Sequence, residues 1–253
     1  MVGVLFALTL ASMPDVSPAA ADGFGLATIV ACVFVLLEYG FRQPALLEFR
    51  FAAPYNRWRF LTLIAIILSF VVLCGNVVVP TPFNTLITWV AEDAKSVLNF
   101  PGSPSVVMRG TLESEVTQKA ADMIVPMASL GYLVSFLSSV VFMVFLKFSS
   151  WPAREGSFHF WSNLPTFQTI QPENASARLM QVGFLSIGMA FLFPYAIPGF
   201  LKAFAEMLPI QSFVGDFALF WIIAFSAWLP CACVMRGIAL IKVARMIRAD
   251  WST

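Results

Sequence analysis

The chain has 253 residues, of which 59% are hydrophobic, 15% aromatic and only 11% charged, with a formal net charge of +1. Soluble domains carry about 25% charged residues. This chain therefore lacks the polar groups to coat a water-facing surface, which excludes an ordinary soluble globule, a disordered chain and a nucleic-acid binder. The composition fits an all-α polytopic integral membrane protein, a helical bundle held in a lipid bilayer.

In chain order, residues 1–22 come first. Val2–Ser12 is apolar but too short to span, and Ala19–Ala21 offers a small-residue cleavage pattern. No basic residue precedes the apolar run, as one normally does in a signal peptide, so the segment reads first as re-entrant or interfacial and second as signal-like. Residues 23–253 read as a single transmembrane domain. A bilayer core about 30 Å thick needs about 20 helical residues. Such spans are expected near 23–41, 60–79, 124–146, 182–201 and 217–235, five in all. The first is interrupted by Glu38, which can pair with Arg42 one turn later at the membrane edge. The other four fall within charge-free runs of 32, 24, 23 and 19 residues, each closed by charged residues.

Between the first two spans, Arg42, Arg50, Arg57 and Arg59 alternate with Phe41, Phe49, Phe51, Tyr55 and Trp58. This reads as a headgroup belt or a docking surface, in which Arg42, Arg50, Arg57, Trp58 and Arg59 meet lipid phosphates or a neighbouring subunit. Pro82–Phe100 reads as an amphipathic helix, with Phe83, Leu86, Ile87, Val90, Ala94, Val97 and Leu98 on one side. It would lie either on the outer membrane surface or folded over the bundle, and Pro101 and Pro104 would end it. Thr111 reads as an N-cap followed by Glu113 and Glu115, which would extend the third span outward by two to three turns. The loop 148–178, rich in aromatic residues and proline, reads as ordered. After Arg236 the last helix should continue as Gly237–Arg248, with Lys242, Arg245 and Arg248 on anionic lipid or a partner.

Charge sorting sets the expected topology. With five spans and the N-terminus outside, the inner segments hold eleven basic and five acidic residues, net +6, and the outer ones four and nine, net −5. The positive-inside rule then gives N-out, C-in.

Candidate chemistry is sparse. Cys231 and Cys233 stand two apart on a helix, about 200° around its axis, and could not readily share one metal ion. His159 is the sole histidine. No hydrolase elbow, Walker loop, zincin motif or dinucleotide fingerprint occurs, so neither a cofactor nor a metal is expected. No carboxylate lies at mid-span, where carriers and proton pumps keep theirs. Pro194 and Pro198 should kink the fourth span. Gly131, Ser135 and Ser139 on the third span, and Ser186 and Ala190 on the fourth, form small-residue faces for close helix packing or a partner. These features favour a non-catalytic accessory, scaffold or assembly subunit of a larger complex in a bacterial-type cytoplasmic (inner) membrane. Next come a channel or carrier for a neutral or hydrophobic solute at the kinked fourth span, and a lipid-modifying enzyme using His159, Arg154 and Glu155.

Overall fold

The computed structural model describes residues 29, 33, 36, 48–49, 52, 54–75, 81–113, 118–152, 163–164, 172–207 and 216–250. They form six helices: α1 (Tyr55–Gly75), α2 (Pro82–Leu98), α3 (Pro104–Leu112), α4 (Gln118–Phe148), α5 (Pro172–Met207) and α6 (Asp216–Asp250). No strand occurs among the described residues.

Helices α1, α4, α5 and α6 are long and apolar enough to cross a membrane. They contain the spans expected near 60–79, 124–146, 182–201 and 217–235, although α1 begins five residues early and 76–80 lie outside the described residues. Their outward faces carry Leu61, Leu68, Phe136, Val141, Phe184 and Phe191. A water-soluble surface would not tolerate so much apolar area, whereas hydrocarbon does. The protein is thus an all-α integral membrane protein. Of the expected span near 23–41, only Ile29, Val33 and Leu36 are described; they are helical and exposed. Residues 1–22 lie outside the described residues.

The four spans alternate in direction. The start of α1, the end of α4, the start of α5 and the second half of α6 meet in one apolar cluster around Phe49, Tyr55, Phe142, Leu146, Leu179 and Met235. A second cluster, around Ile66, Phe70, Met108, Ile124, Phe220 and Ala224, fills the other end. Arg57, Arg59, Lys147, Arg178, Arg236, Lys242, Arg245 and Arg248 belong to the first end. Glu92, Asp93, Glu113 and Asp122 belong to the second, where Lys95 and Arg109 pair with three of them. α6 occupies the centre, packing on α1, α4 and α5, and its longest seam is with α5.

At the acidic end the structure corrects the expected helix boundaries. Thr111 is no N-cap: it lies within α3 and its hydroxyl donates to the Val107 carbonyl at 2.7 Å. The cap is Ser103, whose hydroxyl accepts from the Val106 N–H at 3.3 Å, with Pro104 at the first helical position. Proline suits that position because its missing N–H would be unpaired there anyway. Pro104 therefore opens α3, and Glu113 stands at its C-terminus. Among the described residues the third span extends outward from Gln118, under two turns, and α3 lies before it in the chain.

α2 starts as its sequence suggests, with Thr81 capping and Pro82 next. It folds over the bundle: Ala91 and Ala94 are buried, and Ile87 and Val90 pack beside them on the core. Small residues at the contact let the backbone come close. Phe83, Leu86, Trp89 and Val97 stay exposed on the adjoining strip.

Candidate functional site

The strongest concentration of polar chemistry lies at the basic end, where five segments converge. It begins with a strained residue. Phe49 adopts φ 56°, a left-handed conformation that costs a non-glycine residue about 1–2 kcal/mol. Its ring is fully enclosed, 4.7 Å from the Tyr55 ring and 5.3 Å from Trp151. Its N–H donates to the Asn163 carbonyl at 2.6 Å. Asn56 Nδ2 donates to the Glu48 carbonyl at 2.8 Å, and Trp151 Nε1 to the Ala52 carbonyl at 3.2 Å. These bonds hold the entry to α1 in one shape.

That shape aims Glu48 inward. Arg236 of α6 meets its carboxylate with a two-pronged contact, Nε to Oε2 and Nη2 to Oε1, each 2.7 Å. The third nitrogen, Nη1, donates to Ser186 Oγ of α5 at 2.9 Å, and Ser186 in turn donates to the Val182 carbonyl at 2.9 Å. The Glu48 side chain is 9% exposed and that of Arg236 31%. Planar guanidinium-to-carboxylate pairing is among the stronger charge-assisted contacts, and here it ties the α1 entry, α5 and α6 together. Arg236 follows 19 uncharged residues of α6, about 28 Å of helix. The pair therefore lies near a hydrocarbon boundary rather than at mid-span.

Around this pair, residues expected at headgroups turn into the protein. Trp58 Nε1 donates to Ser138 Oγ at 3.2 Å, and its ring stacks on Phe145 at 6.1 Å. The Arg59 guanidinium lies 5.4 Å from the Tyr55 ring centre and 5.5 Å from that of Trp228, positions favourable for cation–π attraction. Trp228 Nε1 donates to the Arg59 carbonyl at 2.9 Å. Lys242 donates to the Leu146 carbonyl and, at 2.8 Å, to that of Ser149. It thereby closes the C-terminus of α4, where a cation is favoured by the helix dipole. Trp58, Arg59 and Lys242, read from the sequence as lipid or docking groups, are half-buried and make these contacts within the bundle. Arg57, Arg245 and Arg248 do face outward. Arg42, Arg50, Glu38, His159, Arg154 and Glu155 lie outside the described residues.

Lys242→Met should lower stability by about 1–2 kcal/mol, because two terminal carbonyls lose a charged donor. Arg245→Met should stay within about 0.5 kcal/mol. Thermal unfolding of both variants in the same detergent checks the difference.

The small-residue faces point at α6. A methyl group added at Gly131 would come 2.9 Å from Ala227 Cβ and 3.0 Å from the Phe70 ring. Ser135 Oγ donates to the Ala227 carbonyl at 2.7 Å, and Ser139 Oγ to Cys231 Sγ at 3.1 Å. Pro230 removes the N–H that would serve the Ser226 carbonyl, and Ala227 gains its extra donor in that same turn. Ser186 and Ala190 are buried. Pro194 and Pro198 are also buried, and α5 runs through both. Among the described residues, no cluster of three or more His, Cys, Asp or Glu could hold a metal ion.

Two features escaped the sequence reading. Glu48 looked like one acid in a basic stretch, 188 residues from its partner. Gly183 and Gly237 form a close helix crossing, since a methyl at Gly237 would stand 2.6 Å from the Gly183 carbonyl oxygen. The spacing Gly183–Ser186–Ala190 extends the small face already visible on α5 and was its available signal. No family model, curated protein or solved structure matches the chain.

Proposed function

We propose that the protein is a non-catalytic accessory, scaffold or assembly subunit of a larger complex in a bacterial-type cytoplasmic membrane. The observation that carries this reading is the contrast between the two sides of α5. One side is locked to α6 through Gly183, Ser186 and Gly237. The other bears Gly188 and Gly199, eleven residues or about three turns apart, each with open space where a side chain would stand. Phe184, Phe191 and Tyr195 rise around these notches and are exposed. Glycine notches between aromatic ridges suit the close approach of a transmembrane helix from another subunit. Arg236, Ser135 and Trp58 spend their donors on joining helices of the bundle itself, which favours scaffolding over transport. Ser186, where a solute path beside Pro194 would need open polar ground, is bonded on both sides.

A photoreactive residue placed at Phe191, in cells that make the protein naturally, should cross-link one defined membrane protein. Substituting Gly188 by Leu should abolish that adduct. Cross-links to lipid alone, with the protein recovered from mild detergent as a lone monomer, would remove the reading.

A further inference from the structure

Arg59 is a cation that the bundle supplies with rings but with no anion. The Tyr55 and Trp228 rings attract its charge, yet they offer no oxygen to its N–H groups. Its Nε and the Tyr55 hydroxyl are both buried without a hydrogen-bond partner. No ion pair to Arg59 forms among the described residues, and both oxygens of the Glu48 carboxylate are met by Arg236. Tyr55, fully enclosed, stands in the fields of Arg59, Glu48 and Arg236, two cations to one carboxylate. Depth sharpens the imbalance. Trp228, which meets Arg59, precedes Arg236 by eight residues, about 12 Å of helix. Arg59 therefore sits inward of the Glu48–Arg236 pair, toward the part of a bilayer where a charge is expensive and is kept with a partner.

The same place opens on a furrow. α1 and α5 both pack on α6 with no seam of their own. Arg59 marks the α1 bank, where its carbonyl takes the Trp228 indole. Ser186 marks the α5 bank, where it accepts from Arg236. Between them α6 presents Phe225, 46% exposed, and half-buried Leu229 one turn on. Cys233, a further turn on, feels both Arg59 and Arg236, so both cations reach this side of α6. The furrow is apolar along its floor and cationic at its basic end.

We infer that the furrow seats one anionic phospholipid, its phosphate on the Arg59 guanidinium beside the unpaired Tyr55 hydroxyl and an acyl chain along Phe225 and Leu229. A phosphate offers oxygen acceptors that match the guanidinium fork. A headgroup of net charge −1, as in phosphatidylglycerol, balances the excess cation. A choline headgroup would bring another cation to it. The apolar floor suits a hydrocarbon chain, which a free phosphate lacks.

The test titrates the delipidated full-length protein in detergent with phosphatidylglycerol, with phosphatidylcholine of the same chains and with inorganic phosphate. Bound molecules are counted by native mass spectrometry. One phosphatidylglycerol should bind at least about tenfold more tightly than either alternative, the worth of one charged contact. Arg59→Gln should weaken it by about the same factor, whereas Arg57→Gln, at an exposed cation of the same helix, should change it less than about twofold. Leu229→Trp leaves every charge in place and fills the furrow floor. It should also weaken the lipid about tenfold, and it keeps the idea testable if Arg59→Gln fails to fold. Equal binding of the two lipids, free phosphate binding as tightly as lipid, or unchanged binding in Arg59→Gln or in Leu229→Trp would each overturn the inference. The Gly188 face takes no part in these measurements, so this inference and the proposed function fail separately.

Discussion

Arg236→Met should cost about 3 kcal/mol of stability, because it removes the two-pronged contact from a Glu48 carboxylate that is only 9% exposed. The side chain loses three donated bonds at once, two to Glu48 and one to Ser186. The 31% exposure of the Arg236 side chain lets water screen part of the charge, which holds the expected cost at the lower end for broken buried pairs. The double variant Glu48→Leu/Arg236→Met should recover most of the loss, because both charges of the buried contact are then removed together. Unfolding of the two single variants and the double variant in one detergent measures the coupling. A loss below about 1 kcal/mol for Arg236→Met would mean that the pair is not a structural clasp.

The second large effect is expected at the α5–α6 crossing. Gly237→Leu should lower stability by about 3 kcal/mol, at the upper end of overpacking costs. The first added carbon would stand 2.5 Å from Ile187 Cγ1 and 2.6 Å from the Gly183 carbonyl oxygen. The isoleucine tip can swing aside, but a helix carbonyl cannot move without shifting its axis. Gly237→Ala should already cost about 1–2 kcal/mol on the same ground. Gly188→Leu, with open space around it, should leave the isolated protein within about 0.5 kcal/mol of its original stability. If all three variants melted together, the glycine crossing would be loose.

The spans were legible because hydrocarbon imposes a length rule that each segment obeys on its own. The small face Gly131–Ser135–Ser139 was legible for a similar reason, since helical spacing alone puts the three on one side. Which neighbour they would meet was not, because Ala227 and Cys231 lie some 90 residues further along. The same holds for Glu48. Its role depends on Phe49 taking a left-handed turn, which no local propensity suggests, and on Asn163 being present to receive the Phe49 amide. Thr111 misled for a different reason. It has a cap's composition, with acids following, but Ser103–Pro104 upstream forms the better start and claims the turn first.

The most central span is also the one the ribosome makes last among those described. α1, α4 and α5 enter the bilayer before α6 exists, and until it arrives the contact of Glu48 with Arg236 and that of the α4 terminus with Lys242 cannot form. Biogenesis must therefore hold three incomplete, partly polar segments side by side and close the bundle in a single late step. Chains stalled before Met235 would leave this polar surface unfinished.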